Sequence, residues 1–403
     1  MQNSHRQIIS LPLLFIGIFT LLQLVVLAIF GYTPYPDSNG YIFLAEQCIT
    51  EGDIYPITTK LNDYPFLWNI GAINAVVLSL KWFHSIKPLL ILYCLMKGAT
   101  AWFLYQVTRN IANDKIAIIT LLLYVIYPAN YGEGTSVLSE LPFMFFNFLG
   151  IWLCISRGQY LLGGASVAVA NWFRPMGIIF ILSILIYLFF IKRKTIRPLM
   201  GYFAMILLIG SLSFQRTGLF LYQAKTGWMA LTDYSTHHST ETMTVRENVQ
   251  WNVSQKDSVW QSLFFEWVKE HPVDYVAQMP KKFTNTYISD NINMCTFIPN
   301  KSNEEYMYDV VSMPTLLHSF PNYSAVQILT LLNLLFYFAL LFSALYSLIY
   351  FRKDIFLLPL CSIGLGTLLL LLIGHGEARF HIPLMPFVII LSAYFINKKI
   401  WKE

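Results

Sequence analysis

Charge is scarce in this sequence. Of 403 residues, only 12% are Asp, Glu, Lys or Arg, roughly half the share found in ordinary soluble domains. That excludes a set of water-exposed globular domains. Basic runs are also missing: the net charge of +5 is small and scattered, so there is no nucleic-acid footprint, and no nucleic-acid partner is expected. The five cysteines stand at 48, 94, 154, 295 and 361, without the paired spacing of a zinc or redox motif. Cys48 and Cys295 are the two that could meet outside a membrane; a disulfide is the minority reading. His237-His238 has no third ligand at a recognisable spacing. Neither a metal nor a cofactor is expected. No internal repeat and no low-complexity tract interrupts the chain.

What the chain has in abundance is apolar surface: 56% hydrophobic residues and 16% aromatic ones. Lipid is the solvent such a composition calls for, and the unit of length is then a span of about 20 residues. Hydropathy places spans at 8–30, 88–108, 115–130, 137–156, 160–173, 176–191, 198–216, 325–350, 355–373 and 382–397. The expected fold is therefore an all-α polytopic bundle of about ten transmembrane helices, a single domain over 1–403. The stretch Pro65–Phe83 is nearly long enough to cross as well. If it crossed, every later span would flip and the basic connections at Arg109, Arg157, Lys192-Arg193-Lys194 and Lys398-Lys399 would move outside. Cytoplasmic loops are enriched in Lys and Arg, so Pro65–Phe83 is read as a helix lying at the outer surface or dipping into the membrane. Both termini are then cytoplasmic. Two segments, 31–87 and 217–324, are large and extracytoplasmic. Within the second, Asp257 to His271 reads as a helix capped by Asp257 and stopped by Pro272. Its apolar face, from Val259 to Val268, suits a bilayer surface or the cover of a cavity.

Polar groups at the ends of apolar spans are costly and carry information. Asp37 follows the first span and opens a short amphipathic helix with Tyr41, Leu44, Ala45 and Cys48 on one face. It reads either as a helix cap or as a general base. Asp63 precedes Pro65, and Glu140 heads an apolar span where a helix N-terminus favours negative charge. Arg174-Pro175 separates two spans. The densest cluster is Gly374-His375-Gly376-Glu377-Ala378-Arg379-Phe380-His381-Ile382-Pro383, with Pro386 after it. Arginine offers a planar donor fork for phosphate oxygens. An internal Glu377–Arg379 pair that merely tidies a loop is the alternative. The topology puts all four clusters on the outer side.

In this order, the motifs resemble the GT-C superfamily of membrane glycosyltransferases, most of all the branch of protein O-mannosyltransferases and bacterial lipid A aminoarabinose transferases. The resemblance rests on Asp37-x-x-x-Tyr41-x-x-x-Ala45, Asp63 before Pro65, Glu140, Arg174-Pro175 and Glu377-x-Arg379-Phe380-x-x-Pro383-x-x-Pro386. Tyr64 stands where the aminoarabinose transferases have a basic residue, and no Asp-x-Asp occurs at Asp37. The resemblance implies a GT-C-type bundle with its active site at the extracytoplasmic face of the plasma (inner) membrane. It implies an inverting transfer of a sugar from a polyprenyl-phosphate donor to a hydroxyl of a lipid- or protein-linked acceptor. Asp37 would be the catalytic base. Asp63, Glu140 and Tyr41 would bind acceptor or sugar, and Arg379, His381, Arg174 and His375 the donor phosphate. The alternatives are a lipid or glycan transporter or flippase, an O-antigen ligase or polymerase, and a non-catalytic assembly partner.

Overall fold

The computed structural model describes residues 2–53, 55, 68–191, 193, 195–236, 239–301, 304–350, 357–374 and 376–400. Asp63, Pro65, His237, His238 and His375 lie outside them. Every regular element among the described residues is helical.

The first helix, α1 (Gln2–Phe30), is followed by α2 (Pro36–Thr50) and α3 (Ile70–Phe83). Then come α4 (Lys87–Ile111), α5 (Asp114–Ile126), α6 (Glu140–Ile155), α7 (Tyr160–Phe173), α8 (Gly177–Phe190) and α9 (Arg197–Thr217). Short helices α10 (Gly227–Thr236), α11 (Thr240–Glu247), α12 (Val253–Glu270), α13 (Pro272–Ala277), α14 (Met279–Tyr287), α15 (Glu304–Val310) and α16 (Met313–His318) build the long segment after α9. The chain closes with α17 (Ala325–Tyr350), α18 (Leu357–Ile373) and α19 (Met385–Ile400).

Among the described residues, five helices are long and apolar enough to cross a membrane: Leu11–Phe30, Lys87–Ile111, Arg197–Thr217, Ala325–Tyr350 and Ala378–Lys399. A sixth is counted if Asp114–Ile126 and Pro128–Thr135, bent by 66° at their junction, form one span. The chain is thus an all-α, multi-pass integral membrane protein with five or six long spans, fewer than the ten expected. Four of the expected spans, α6, α7, α8 and α18, are apolar but shorter. At ~1.5 Å per residue they run about 21–26 Å, against about 30 Å of hydrocarbon. Helix α3 begins at Ile70, later than the Pro65 of the expected stretch. Most of it, from Ile70 to Ser79, is buried against α2, α4 and α7.

Burial orders the helices. Only 11% of the apolar window of α1 is buried, whereas 83% of Ala378–Lys399 is. The first presents its leucines and isoleucines to lipid; the last is the centre of the bundle, packed on α5 and α17. Small residues bring α7 and α9 into backbone contact. A Cβ at Gly164 would strike the Pro198 carbonyl, and one at Gly201 the Leu161 carbonyl. This is how helices gain contact area where lipid supplies no hydrophobic drive.

Pro128 breaks the chain after α5 and turns it back into the bundle. The 3-10 turn that follows (Glu133–Thr135) inserts a carboxylate beside the Lys97 amine of α4, at 2.6 Å, with side chains 7% and 1% exposed. Deeper still, Asp290 accepts a hydrogen bond from the Tyr127 hydroxyl, and the Asn333 amide donates to the Asp290 carbonyl. These bonds fasten the segment after α9 to the bundle. So does Lys301, whose amine donates to the Phe30 carbonyl at the C-terminus of α1 (2.7 Å) and to the Thr33 hydroxyl (2.9 Å), where a helix end favours a cation.

Helix α12 starts a turn earlier than Asp257. Asn252 caps it, and Gln255 returns a bond to the Asn252 backbone, a capping box. Asp257 instead pairs with Lys225 at 3.0 Å. The apolar face of α12 covers α10 through buried Trp260 and Phe264. All five cysteines are free thiols.

Lys282 on α14 is fully buried without a hydrogen-bond partner. Its ammonium faces the Tyr234 and Tyr275 rings at 5.4 and 5.3 Å, and burial pushes it down to about 8. An unfolded lysine titrates near about 10.4. Between these values the unfolded chain holds more protons, so stability rises with pH there, and below about 8 the folded chain carries the full cost of a buried cation. Lys282→Met is expected to stabilise the protein at pH 7 by about 2 kcal/mol, with the gain fading above pH ~10.5. Thermal unfolding of the two proteins across that pH range measures it.

Candidate functional site

Asp37 lies in the first turn of α2, but it does not cap it. The N-cap position belongs to Tyr35, which makes no side-chain cap bond. Pro36 starts the helix, where its missing N–H costs nothing, and sets the Asp37 side chain against Arg379. The Asp37 carboxylate is 2.6 Å from the Arg379 guanidinium. Arg379 stands on a 3-10 turn (Ala378–Leu384) that links α18 to α19. Its other nitrogens meet Glu377 at 2.8 Å and Glu140 at 3.9 Å. The Glu377–Arg379 pair therefore exists, but it is one of three.

Glu140 heads α6 with its side chain 4% exposed and receives Arg174 at 2.7 Å. Arg174 ends α7 in an extended conformation and lays its guanidinium over the Phe380 ring at 4.9 Å. A second chain of polar groups runs from Glu140 to Ser139, then to the Asn69 amide (3.1 Å) and on to the Tyr41 hydroxyl (2.6 Å). The sequence-derived residues Asp37, Tyr41, Glu140, Arg174 and Arg379 thus form one connected cluster drawn from α2, α6, the end of α7 and the turn before α19.

This cluster forms the polar end of a cavity of about 320 Å³. Asp37, Tyr41, Asn69, Arg174 and Arg379 line that end; Leu369, Leu370 and Ile373 of α18 form an apolar wall, and the start of α10 another. Ile373 is 45% exposed and its neighbours Leu368 and Leu372 are exposed too. The apolar wall therefore continues onto the exposed side of α18.

His381 is not part of this cavity. Although two residues from Arg379, it is fully buried on the other side of the turn. Its Nδ1 donates to the Thr286 carbonyl at 2.6 Å, and its Nε2 stands 3.6 Å from Asp290, under the Tyr287 and Tyr337 rings. A 3-10 turn separates neighbours by about a third of a turn, so Arg379 and His381 point apart. The expected phosphate contact from His381 is replaced by an anchor of the turn to α14.

Several lining residues escaped the sequence reading. Trp68 and Asn69 precede α3 and border the cavity. The signal was present in Asn69 as a helix N-cap, but its amide forgoes the cap to reach Tyr41 and Ser139. Lys97, a lone cation inside an apolar run, was a second unread signal. Among the described residues no group of three or more His, Cys, Asp or Glu side chains is placed to hold a metal ion. Comparison with known protein families and with curated proteins finds no match for this chain.

Proposed function

We propose that this protein is a membrane glycosyltransferase of GT-C type, moving a sugar from a polyprenyl-phosphate donor to an acceptor hydroxyl by inverting displacement. The observation that carries the reading is the Asp37–Arg379 contact at the polar end of a cavity whose apolar wall continues onto the exposed leucines of α18. In this reading α6, α7, α8 and α18 also cross the membrane, giving ten spans. Both termini are cytoplasmic, and the cavity faces outward from the plasma (inner) membrane. The same reading gives acceptor or sugar binding to Asp63 and donor-phosphate binding to His375, both outside the described residues.

The donor lipid enters along α18, its chain against the leucines and its phosphate toward Arg379 and Arg174. Without donor, the Asp37 carboxylate is occupied by the Arg379 guanidinium. When the phosphate takes over the guanidinium, the Asp37 carboxylate is released to accept a proton. The acceptor oxygen then attacks the anomeric carbon and its proton passes to Asp37. The anomeric carbon–phosphate oxygen bond breaks, and the electron pair leaves with the polyprenyl phosphate. Cations fixed at the leaving group act where negative charge develops, and the proton transfer is general-base catalysis. Three carboxylates, Asp37, Glu140 and Glu377, face two guanidiniums. The surplus charge falls on Glu377, whose side chain is the most exposed at 36% and is best screened by water.

Arg379→Ala tests the reading. We expect binding of a polyprenyl phosphate to weaken by at least about tenfold, since a charge-assisted bond is worth roughly 1.5–3 kcal/mol. Unchanged affinity, measured on purified protein, removes the assignment.

A second reading, a secondary transporter, is favoured by one observation: the Lys97–Glu133 pair enclosed within the bundle, since charges inside a membrane bundle often mark ion pathways. Uptake or counterflow in proteoliposomes without sugar transfer selects it.

A further inference from the structure

The polar end of the cavity has a floor that the transfer chemistry does not use. Trp68 borders the cavity, and its indole lies on the backbone of α2 at Gly40, where a Cβ would come within 1.6 Å of the ring's Cζ3. Tyr41 meets the same indole edge-on, with centroids 5.3 Å apart at 77°. Gly40 and Tyr41 follow Asp37 by three and four residues, so all three share one face of α2. The indole is thereby fixed within one helical turn of the carboxylate.

Beside it stands Asn69. Its amide nitrogen bonds the Tyr41 and Ser139 hydroxyls, while the amide oxygen is buried and has no hydrogen-bond partner among the described residues. Hydroxyls can donate or accept, so whichever way the amide is turned, one of its polar atoms stays unmatched. A buried polar atom without a partner costs about 1–3 kcal/mol, a cost that a bound hydroxyl would cancel. The cavity, at about 320 Å³, sits at the low end of the ~300–1,000 Å³ range of ligand sites.

We propose that Trp68 and Asn69 form a platform for a single sugar ring. The C–H face of the ring lies on the indole, whose π face is electron-rich, and one sugar hydroxyl bonds the free atom of the Asn69 amide. The volume, about 320 Å³, suits one monosaccharide with its phosphate. This rests on the glycosyltransferase reading and deepens it: the residues that hold the sugar are distinct from Arg379, which holds the phosphate.

The test compares binding of bare polyprenyl phosphate with that of polyprenyl-phosphate hexoses and pentoses to full-length protein in nanodiscs. The wild type is expected to favour at least one sugar-bearing lipid by about tenfold or more, ~1.4 kcal/mol. Trp68→Ala removes that preference and leaves bare-lipid binding unchanged. Trp68→Phe keeps most of it, Asn69→Ala loses part of it, and Arg379→Ala weakens both lipids alike. A preference that survives Trp68→Ala overturns the platform. If Trp68→Ala binds neither lipid, full preference in both Trp68→Phe and Asn69→Ala overturns it. Equal binding of all lipids by the wild type also overturns the platform while sparing the donor-phosphate reading. Binding of none overturns both.

Discussion

Asp37→Asn is expected to lower sugar transfer by about 10²–10⁴-fold, the usual weight of a general base, with donor-lipid binding retained or tightened. The asymmetry follows from the geometry. Asparagine keeps the size and hydrogen-bonding capacity of the side chain, so α2 stays in place. It removes the charge that competes with the donor phosphate for the Arg379 guanidinium, 2.6 Å away. A merely structural ion pair predicts the opposite pattern, with Arg379 loosened and binding and transfer falling together. Single-turnover transfer, measured beside equilibrium binding of the same donor, separates the two. Transfer near the wild-type rate would falsify the assignment of Asp37 as base.

The largest effect on stability is expected from Lys97→Met. Lys97 and Glu133 face each other at 2.6 Å and are almost entirely enclosed. Removing one partner leaves an uncompensated buried charge, which costs about 3–5 kcal/mol. Replacing both, Lys97→Met with Glu133→Leu, removes the desolvation cost along with the attraction and is expected to return most of that stability. Reversible unfolding in mixed micelles, or protease resistance at a fixed temperature, reads both variants. A single variant as stable as the wild type would show that the pair does not help to hold the bend after α5 in place.

The membrane class was legible because it depends on sums over many residues. The positions of α1, α4, α9 and α17 follow from apolar runs that need no partner to be recognised. What failed were inferences that depend on partners. The packing of α3 was not legible: most of its length is buried because α2, α4 and α7 surround it. The start of α12 was misplaced because Asp257 looks like a cap until Lys225 is seen beside it. His381 and Arg379 are neighbours in sequence with different destinations, and only the tightness of the turn separates them. Asp37, Glu140, Arg174 and Arg379 were each legible as polar groups at the ends of apolar runs; which acid meets which cation was not. Trp68 was invisible because its position depends on a glycine on another helix.

The helix most deeply enclosed in the bundle, α19, also comes last among the described helices. Synthesis runs from the N-terminus, and segments made earlier must wait for those made later. Until α19 arrives, α5 and α17 stand in lipid with their inward faces unmatched, and Asp37 has no guanidinium to answer it. Enclosure of the core and pairing of the two charges are therefore one event in the life of the chain. A half-made protein is neither packed nor charge-paired, and a nascent chain stalled in the membrane would carry Asp37 without its cation.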